Sequence, residues 1–334
     1  MKQWRLIIST SFGVMICSGC CHLPSGSRSA QSQTLSPAVA ADYAYVKSGE
    51  FVCQETDTET NHLYSVEKVQ LAGIGPSLVS TRTNRPLVLD YYLPLHKEKS
   101  PVLLILPMLG GSYPLEKYFA VYFAKRGFAS IIVHREKLRK DSSMAALDFM
   151  LKQSVLDNMR AIDWIETRPE LDAERIGVFG ISMGGIKGAL LAPLEHRVRA
   201  AILGLAGGDL PYILTYTTEN GLAKRRDAIL RDEHLTLEEL HEKLRQGLSC
   251  DPNTLAPFVD PQRVLLVLGA FDSVVPSKKG LELRSKMGKP ETIVVPTGHY
   301  SAILFLPYIQ HQSYKFFQRK LTRPREQARA ANRH

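Results

Sequence analysis

The feature that most constrains this chain is a pentapeptide at a strand-to-helix junction. Gly180-Ile181-Ser182-Met183-Gly184 follows an apolar run, Ile176 to Ile181, of the kind buried on both faces. It precedes a segment of small residues that includes Gly184, Gly185, Gly188 and Ala189. A Gly-x-Ser-x-Gly turn in that setting holds its serine in a strained backbone at a strand tip, and its glycines remove side chains that would collide there. The bare pattern is weak; its place between strand and helix carries the weight. The competing reading of Ser182 is an ordinary helix cap.

The rest of the chain repeats the alternation. Short apolar runs predict strands at Leu87 to Tyr92, Val102 to Leu106, Ser130 to Val133, Ala200 to Leu205, Val264 to Leu268 and Thr292 to Val295. Helices are predicted at Tyr113 to Arg126, closed by Gly127, and over 144–167, where Leu151, Val155, Met159 and Ile162 share one face. This order predicts an α/β protein with a mostly parallel sheet and helices on both faces, its function at the carboxyl ends of the strands. Residues 209–260 are too long for a connecting loop. Within them Asn220 to Leu230 and Thr236 to Gly247 read as helices, the second opened by a Thr236/Glu239 capping box, so a small helical cap over the active face is expected.

The ends differ from this body. Residues 1–19 carry Lys2 and Arg5 and then an apolar stretch, Leu6 to Cys17, as a secretory signal does. The stretch closes on Ile16-Cys17-Ser18-Gly19-Cys20, which resembles a bacterial lipobox and marks Cys20 as a lipidation site; a plain cleaved signal is the alternative. Residues 20–41, rich in Ser, Gln, Pro and Ala, read as a flexible tether, and 322–334 as a basic disordered tail. The expected protein is therefore exported and held at a membrane through its lipid. The net charge of +9 does not imply a nucleic-acid partner. Residues 315–334 hold seven Lys or Arg against Glu326, and the body at 20–314 is nearly neutral. With 44% hydrophobic and 22% charged residues, collagen-like and wholly disordered chains are excluded. No Cys/His spacing resembles a zinc site, and no cofactor is expected. Export would permit a Cys53–Cys250 disulfide.

A serine hydroxyl is a poor nucleophile without a base and a group that orients the base. Two residues after predicted strands supply both. Asp272 lies in Gly269-Ala270-Phe271-Asp272-Ser273, after Val264 to Leu268, and His299 lies in Thr297-Gly298-His299-Tyr300, after Thr292 to Val295. With Asp163-Trp164-Ile165-Glu166-Thr167-Arg168-Pro169 and Asp172-Ala173-Glu174-Arg175-Ile176 ahead of the elbow, residues 87–321 resemble α/β-hydrolases of the dienelactone hydrolase and prolyl oligopeptidase-like group.

The resemblance implies the α/β-hydrolase fold over 42–321, with Ser182 as nucleophile, His299 as general base and acid, and Asp272 as the orienting carboxylate. It implies an oxyanion hole from the Met183 backbone N–H and one in the loop after Val102 to Leu106. The group often has His-Gly-x-Gly there; this chain reads Pro107-Met108-Leu109-Gly110-Gly111, and Leu109 is assigned as the second donor. Asp209, also at a strand end, is the reserve acid. His134 is a candidate pocket residue, and the other histidines read as solvated. The expected activity is carboxylic ester hydrolysis on a small-molecule substrate. Residues 42–86 are too few for the propeller that prolyl oligopeptidase-like peptidases carry, which lowers the peptidase alternative. An inactive hydrolase fold used for binding is the other alternative.

Overall fold

The computed structural model describes residues 20–26, 35–45, 47, 51–72, 86–96, 98–108, 113–134 and 144–322. These form one ten-stranded mixed sheet. In chain order its strands are β1 (Cys21–Leu23), β2 (Val52–Thr60), β3 (Tyr64–Ala72), β4 (Leu87–Pro94), β5 (Ser100–Leu106), β6 (Ala129–Val133), β7 (Leu171–Ile181), β8 (Val198–Gly204), β9 (Val264–Gly269) and β10 (Glu291–Val295). Across the sheet the order is β1-β10-β9-β8-β7-β5-β6-β4-β3-β2. The block from β10 to β6 is parallel throughout, while β1 at one edge and β4, β3 and β2 at the other pair antiparallel. The parallel strands are the apolar runs of the sequence, and every residue of β5, β6 and β9 is buried, as a strand covered on both faces requires.

Helices cover both faces. On one lie α2 (Pro114–Ala124) and α10 (Leu306–Leu321), which pack Phe119, Phe123, Phe316 and Phe317 against Leu103, Phe179 and Ile202. On the other lie α3 (Met144–Glu166), α4 (Met183–Leu194) and the helices of the insertion, over Leu104, Val178, Leu203 and Leu266. The faces alternate along each strand, so β8 sends Ile202 to the first and Leu203 to the second.

Three expectations change. Residues 52–72, placed before the sheet by the sequence, are the β2–β3 hairpin inside it. Its outer strand VCQETDTET has no apolar alternation, because an edge strand is held by its ladder and not by a buried face. Residues 20–26, expected within a flexible tether, are docked instead. Cys21, His22 and Leu23 pair with Val294, Ile293 and Thr292; the Gly26 N–H donates to the Lys289 carbonyl at 2.7 Å, and Arg284 donates to the Pro24 carbonyl. Further on, Ser36 caps α1 (Pro37–Asp42), and Tyr43 is buried behind it. Residues 1–19, 27–34 and 323–334 lie outside the described residues. The third concerns Cys53 and Cys250, which are both free: one is exposed on the edge strand and the other is buried beside α3.

The insertion contains α5 (Leu210–Tyr216), α6 (Asn220–Asp232), α7 (Leu237–Gly247) and the short α8 (Pro252–Leu255), and α9 (Ser277–Lys286) follows β9. The capping box opens α7, whose Leu240 and Leu244 enter the α3/α4 face of the core. The expected helices are present, and they rest on that face. The far end is pinned by Asp148 of α3, whose carboxylate accepts the Ser249 and Cys250 N–H groups at 2.9 and 2.8 Å. Burial alone would raise this carboxyl, but the Cys250 and Ser249 hydrogen bonds and Lys152 outweigh it and hold it below the usual range. Asp148→Ala is expected to lower stability by about 2–3 kcal/mol, the scale of lost hydrogen bonds to a charged acceptor. A carboxyl held low contributes above its unfolded pKa and loses that contribution as the pH falls through its folded one. The gap in denaturant midpoint between wild type and Asp148→Ala should therefore shrink as the pH drops below about 4.

Candidate active site

β7 ends at Ile181 and α4 begins at Met183, leaving Ser182 alone in the turn with φ 57° and ψ −122°. Non-glycine residues avoid that region, and the neighbouring backbone enforces it. The Ser182 N–H donates to the Gly204 carbonyl of β8 at 2.8 Å. A Cβ on Gly180 would stand 2.2 Å from the Gly184 carbonyl oxygen, and one on Gly184 would stand 2.1 Å from the Leu106 carbonyl oxygen. Both glycines are thus required by close backbone approach. The Ser182 hydroxyl makes no capping bond to α4, so the helix-cap reading gives way.

The hydroxyl turns instead to His299. Ser182 Oγ lies 2.9 Å from His299 Nε2, and His299 Nδ1 lies 2.7 Å from Asp272 Oδ2. The other carboxylate oxygen of Asp272 accepts the Val274 and Val275 N–H groups at 2.9 and 3.0 Å. Asp272 is buried, and its rotamer is fixed from both ends. With a carboxylate on Nδ1 that nitrogen carries the ring proton, which leaves Nε2 free to accept from the serine. Residues 182, 272 and 299, far apart in the chain, are brought together at the carboxyl ends of β7, β9 and β10, where a parallel sheet presents its loops.

The Met183 N–H lies at the start of α4, beside the hydroxyl. Leu109 lies outside the described residues. The approach to it is held by two residues that the sequence did not single out. Lys187, fully buried on α4, donates to the Pro107 carbonyl at 3.0 Å, and the buried Glu116 of α2 accepts the Met108 N–H at 2.7 Å. A lysine inside a helix otherwise made of small and apolar residues was the available signal for the first; Glu116 gave none.

Two expected residues fall elsewhere. Asp209 caps α5, accepting the Tyr212 N–H at 3.2 Å, and its other oxygen binds Lys279; neither oxygen is on His299. A carboxylate with a cap and a lysine to satisfy is not available to orient an imidazole. His134 is not among the residues lining the pocket at Ser182. Its Nε2 lies 3.0 Å from Asp90 Oδ1, and its ring packs on Tyr113 with centroids 4.8 Å apart.

That pocket has a volume of about 320 Å³, within the range of small-molecule sites. Among the described residues its polar groups are those of Ser182, His299, Glu219 and, at the mouth, Tyr300; the rest of that wall is apolar, from Met108, Phe179, Ile202, Val267, Leu306 and others. Glu219 is the insertion's contribution, and its carboxylate caps α6 by accepting the Leu222 N–H at 2.7 Å. The rim includes Tyr300 and Ile303, both 64% exposed.

A serine elbow on this sheet, with a histidine and a carboxylate from the last two strand ends, defines an α/β-hydrolase. The family model of the X-Pro dipeptidyl-peptidases (S15 family) matches residues 83–251, just over half of the 334 residues, and the chain belongs to that family. An uncharacterized protein of Mycobacterium tuberculosis is 30% identical over 148 residues, which are 44% of this chain and 33% of that protein. The chain thus spans about a third of the length of the first curated relatives it matches. Among solved structures, an acetyl xylan esterase from Paenibacillus sp. R4 superposes with a TM-score of 0.65 at 19% identity, covering 85% of this chain and 92% of that one. The acylaminoacyl peptidase of Pyrococcus horikoshii gives 0.56 at 19% identity, covering 78% of this chain and 42% of that one. Likeness at such identities establishes the α/β-hydrolase fold.

Proposed function

We propose that the protein is a serine hydrolase that cleaves carboxylic esters through an acyl-enzyme intermediate. The observation that carries this reading is the unbroken chain from Ser182 Oγ to His299 Nε2, at 2.9 Å, and from His299 Nδ1 to Asp272, at 2.7 Å. His299 accepts the Ser182 proton as Oγ attacks the ester carbonyl, and the Asp272 carboxylate stabilises the imidazolium that forms. The developing oxyanion is received by the Met183 N–H and a second N–H from the loop after β5, which we assign to Leu109. His299 then protonates the departing alkoxide and activates the water that releases the acid.

The pocket supports esters over N-terminal dipeptides. Capturing a terminal ammonium in an apolar site calls for anionic groups with free lone pairs. Among the described residues the pocket offers one such group, Glu219, with one oxygen engaged in the α6 cap, against a lining that is otherwise almost wholly apolar. Family membership supports the peptidase as the second reading, so the test has two arms. A fluorophosphonate should label Ser182 in the wild type and leave Ser182→Ala unlabelled. A panel of p-nitrophenyl esters and Xaa-Pro anilides should show turnover of the esters. Labelling without ester turnover, or faster cleavage of the anilides, would overturn the ester reading; no labelling would overturn the enzyme.

We also propose that Cys20 is lipidated and that the body sits at a membrane on the export side. The basic, apolar and Cys-terminated order of residues 1–20 supports this. Mass spectrometry of the mature N-terminal peptide is expected to find a modified Cys20; an unmodified cysteine there would reject it.

A further inference from the structure

The pocket does not end at the serine. Three neighbouring strands present their α10-facing side chains to it in two tiers. The upper tier is Ile181, Gly204 and Val267, which are paired across β7, β8 and β9; the lower is Phe179 and Ile202, also paired, two residues back along β7 and β8. Two residues of strand are about 7 Å, so the cavity descends that far below the strand ends where Ser182 sits. Gly204 puts no side chain in the middle of the upper tier, where a Cβ would crowd Ile181 Cγ1 at 3.1 Å. Gly204 and Ile202 line the same cavity, and Leu306 and Ile309 of α10 form the facing wall. The floor is dry, since Phe179, Ile202 and Val267 are each at most 2% exposed.

We infer that this descending channel is an acyl-chain site and that the protein prefers esters of medium-length, unbranched acids, hexanoyl to octanoyl, over acetates. The inference rests on the ester-hydrolase reading. Of the two halves of an ester, the acyl group stays on Ser182 through the covalent intermediate, so a closed apolar floor suits it. The alcohol must leave to solvent, and the mouth with its exposed Tyr300 and Ile303 is where it departs. Among the described residues, the walls bear no side chain to hydrogen-bond a hydroxylated or charged acyl chain below the level of Ser182 and His299. Such a chain would lose its water without replacement.

The experiment uses the purified protein and p-nitrophenyl esters from acetyl to palmitoyl, with a parallel series of alkyl acetates. Each methylene moved from water to an apolar wall is worth about fourfold in kcat/KM, and imperfect fit reduces that. A rise of about tenfold or more from acetyl to octanoyl, with a decline at palmitoyl, is expected. Ile202→Phe, filling the lower tier, should cut the octanoyl-to-acetyl ratio by about tenfold. Leu306→Trp, acting from the opposite wall, should cut the same ratio if Ile202→Phe disturbs folding, and melting curves report which variant is intact. Esters hydrolysed with kcat/KM flat or falling beyond acetyl would overturn the acyl site and leave the ester reading standing. Length dependence in the alkyl acetates instead would also overturn it, as would an unchanged ratio in both variants. No hydrolysis of any ester would overturn the inference together with the reading on which it rests.

Discussion

Replacing Ser182 with alanine is expected to lower kcat by about 10⁶ on any ester the protein turns over, with the melting temperature nearly unchanged. The two halves of this expectation come from different atoms. The hydroxyl oxygen is the group within reach of His299 Nε2, and its removal leaves the reaction without a nucleophile. The fold does not depend on that oxygen, because the turn is held by the Ser182 N–H on Gly204 and by the approach of Gly180 and Gly184 to neighbouring backbone. Alanine occupies the same backbone region at a cost close to that of serine. Single-turnover assays with the purified variant, alongside a thermal melt, check both halves. A loss below about tenfold would mean that another group attacks.

Asp272→Asn is expected to cost about 10⁴ in kcat, more than removal of one hydrogen bond would suggest. The reason is in the two valine amides. Val274 and Val275 donate to one oxygen of Asp272, and in the variant they will keep the amide oxygen of asparagine in that place. The amide NH₂ must then face His299 Nδ1, where the carboxylate oxygen now stands 2.7 Å away. Nδ1 becomes an acceptor, the ring proton moves to Nε2, and the ring can no longer take the proton of Ser182. Asp209→Asn provides the contrast. Asparagine can keep the helix cap on Tyr212 but loses the Lys279 ion pair, so its effect should appear in stability and leave kcat within a few-fold. The reverse order of effects would transfer the orienting role to Asp209.

What could be read before any coordinates follows a simple division. The parallel strands were legible because a strand buried on both faces has to be written in apolar residues, as Val102 to Leu106 and Val264 to Leu268 are. Ser182 carried its own geometry in the flanking glycines, and Asp272 and His299 followed once two strand ends were located. β2 was not legible, since its residues are polar and its place comes from the partner strand. Three residues of β1 are too few to leave a pattern. The helices of the insertion were legible from their caps and periodicity, but the face they rest on was not. That choice is made by Leu240, Leu244 and Asp148 meeting distant parts of the chain. Lys187 and Glu116 were missed for a related reason: each binds a backbone group in a loop, and backbone groups have no signature in sequence.

The small strand at the N-terminal side bears on how the protein behaves in a crowded solution. Any open sheet ends in two rows of unpaired amides and carbonyls that can recruit another chain. At the far side, β2 offers such a row under exposed Glu55 and Glu59, whose charges repel a like edge. At the near side, β10 reads Glu-Thr-Ile-Val-Val, a β-branched segment suited to templating, and among the described residues Cys21 to Leu23 are what pairs with its outer edge. A cut between Gly19 and Cys20 would keep that cover. A cut four residues later would strip it, and chains so shortened would meet edge to edge. If the leader is removed as proposed, the position of the cut decides whether β10 keeps its cover, a property separate from catalysis and written in three residues.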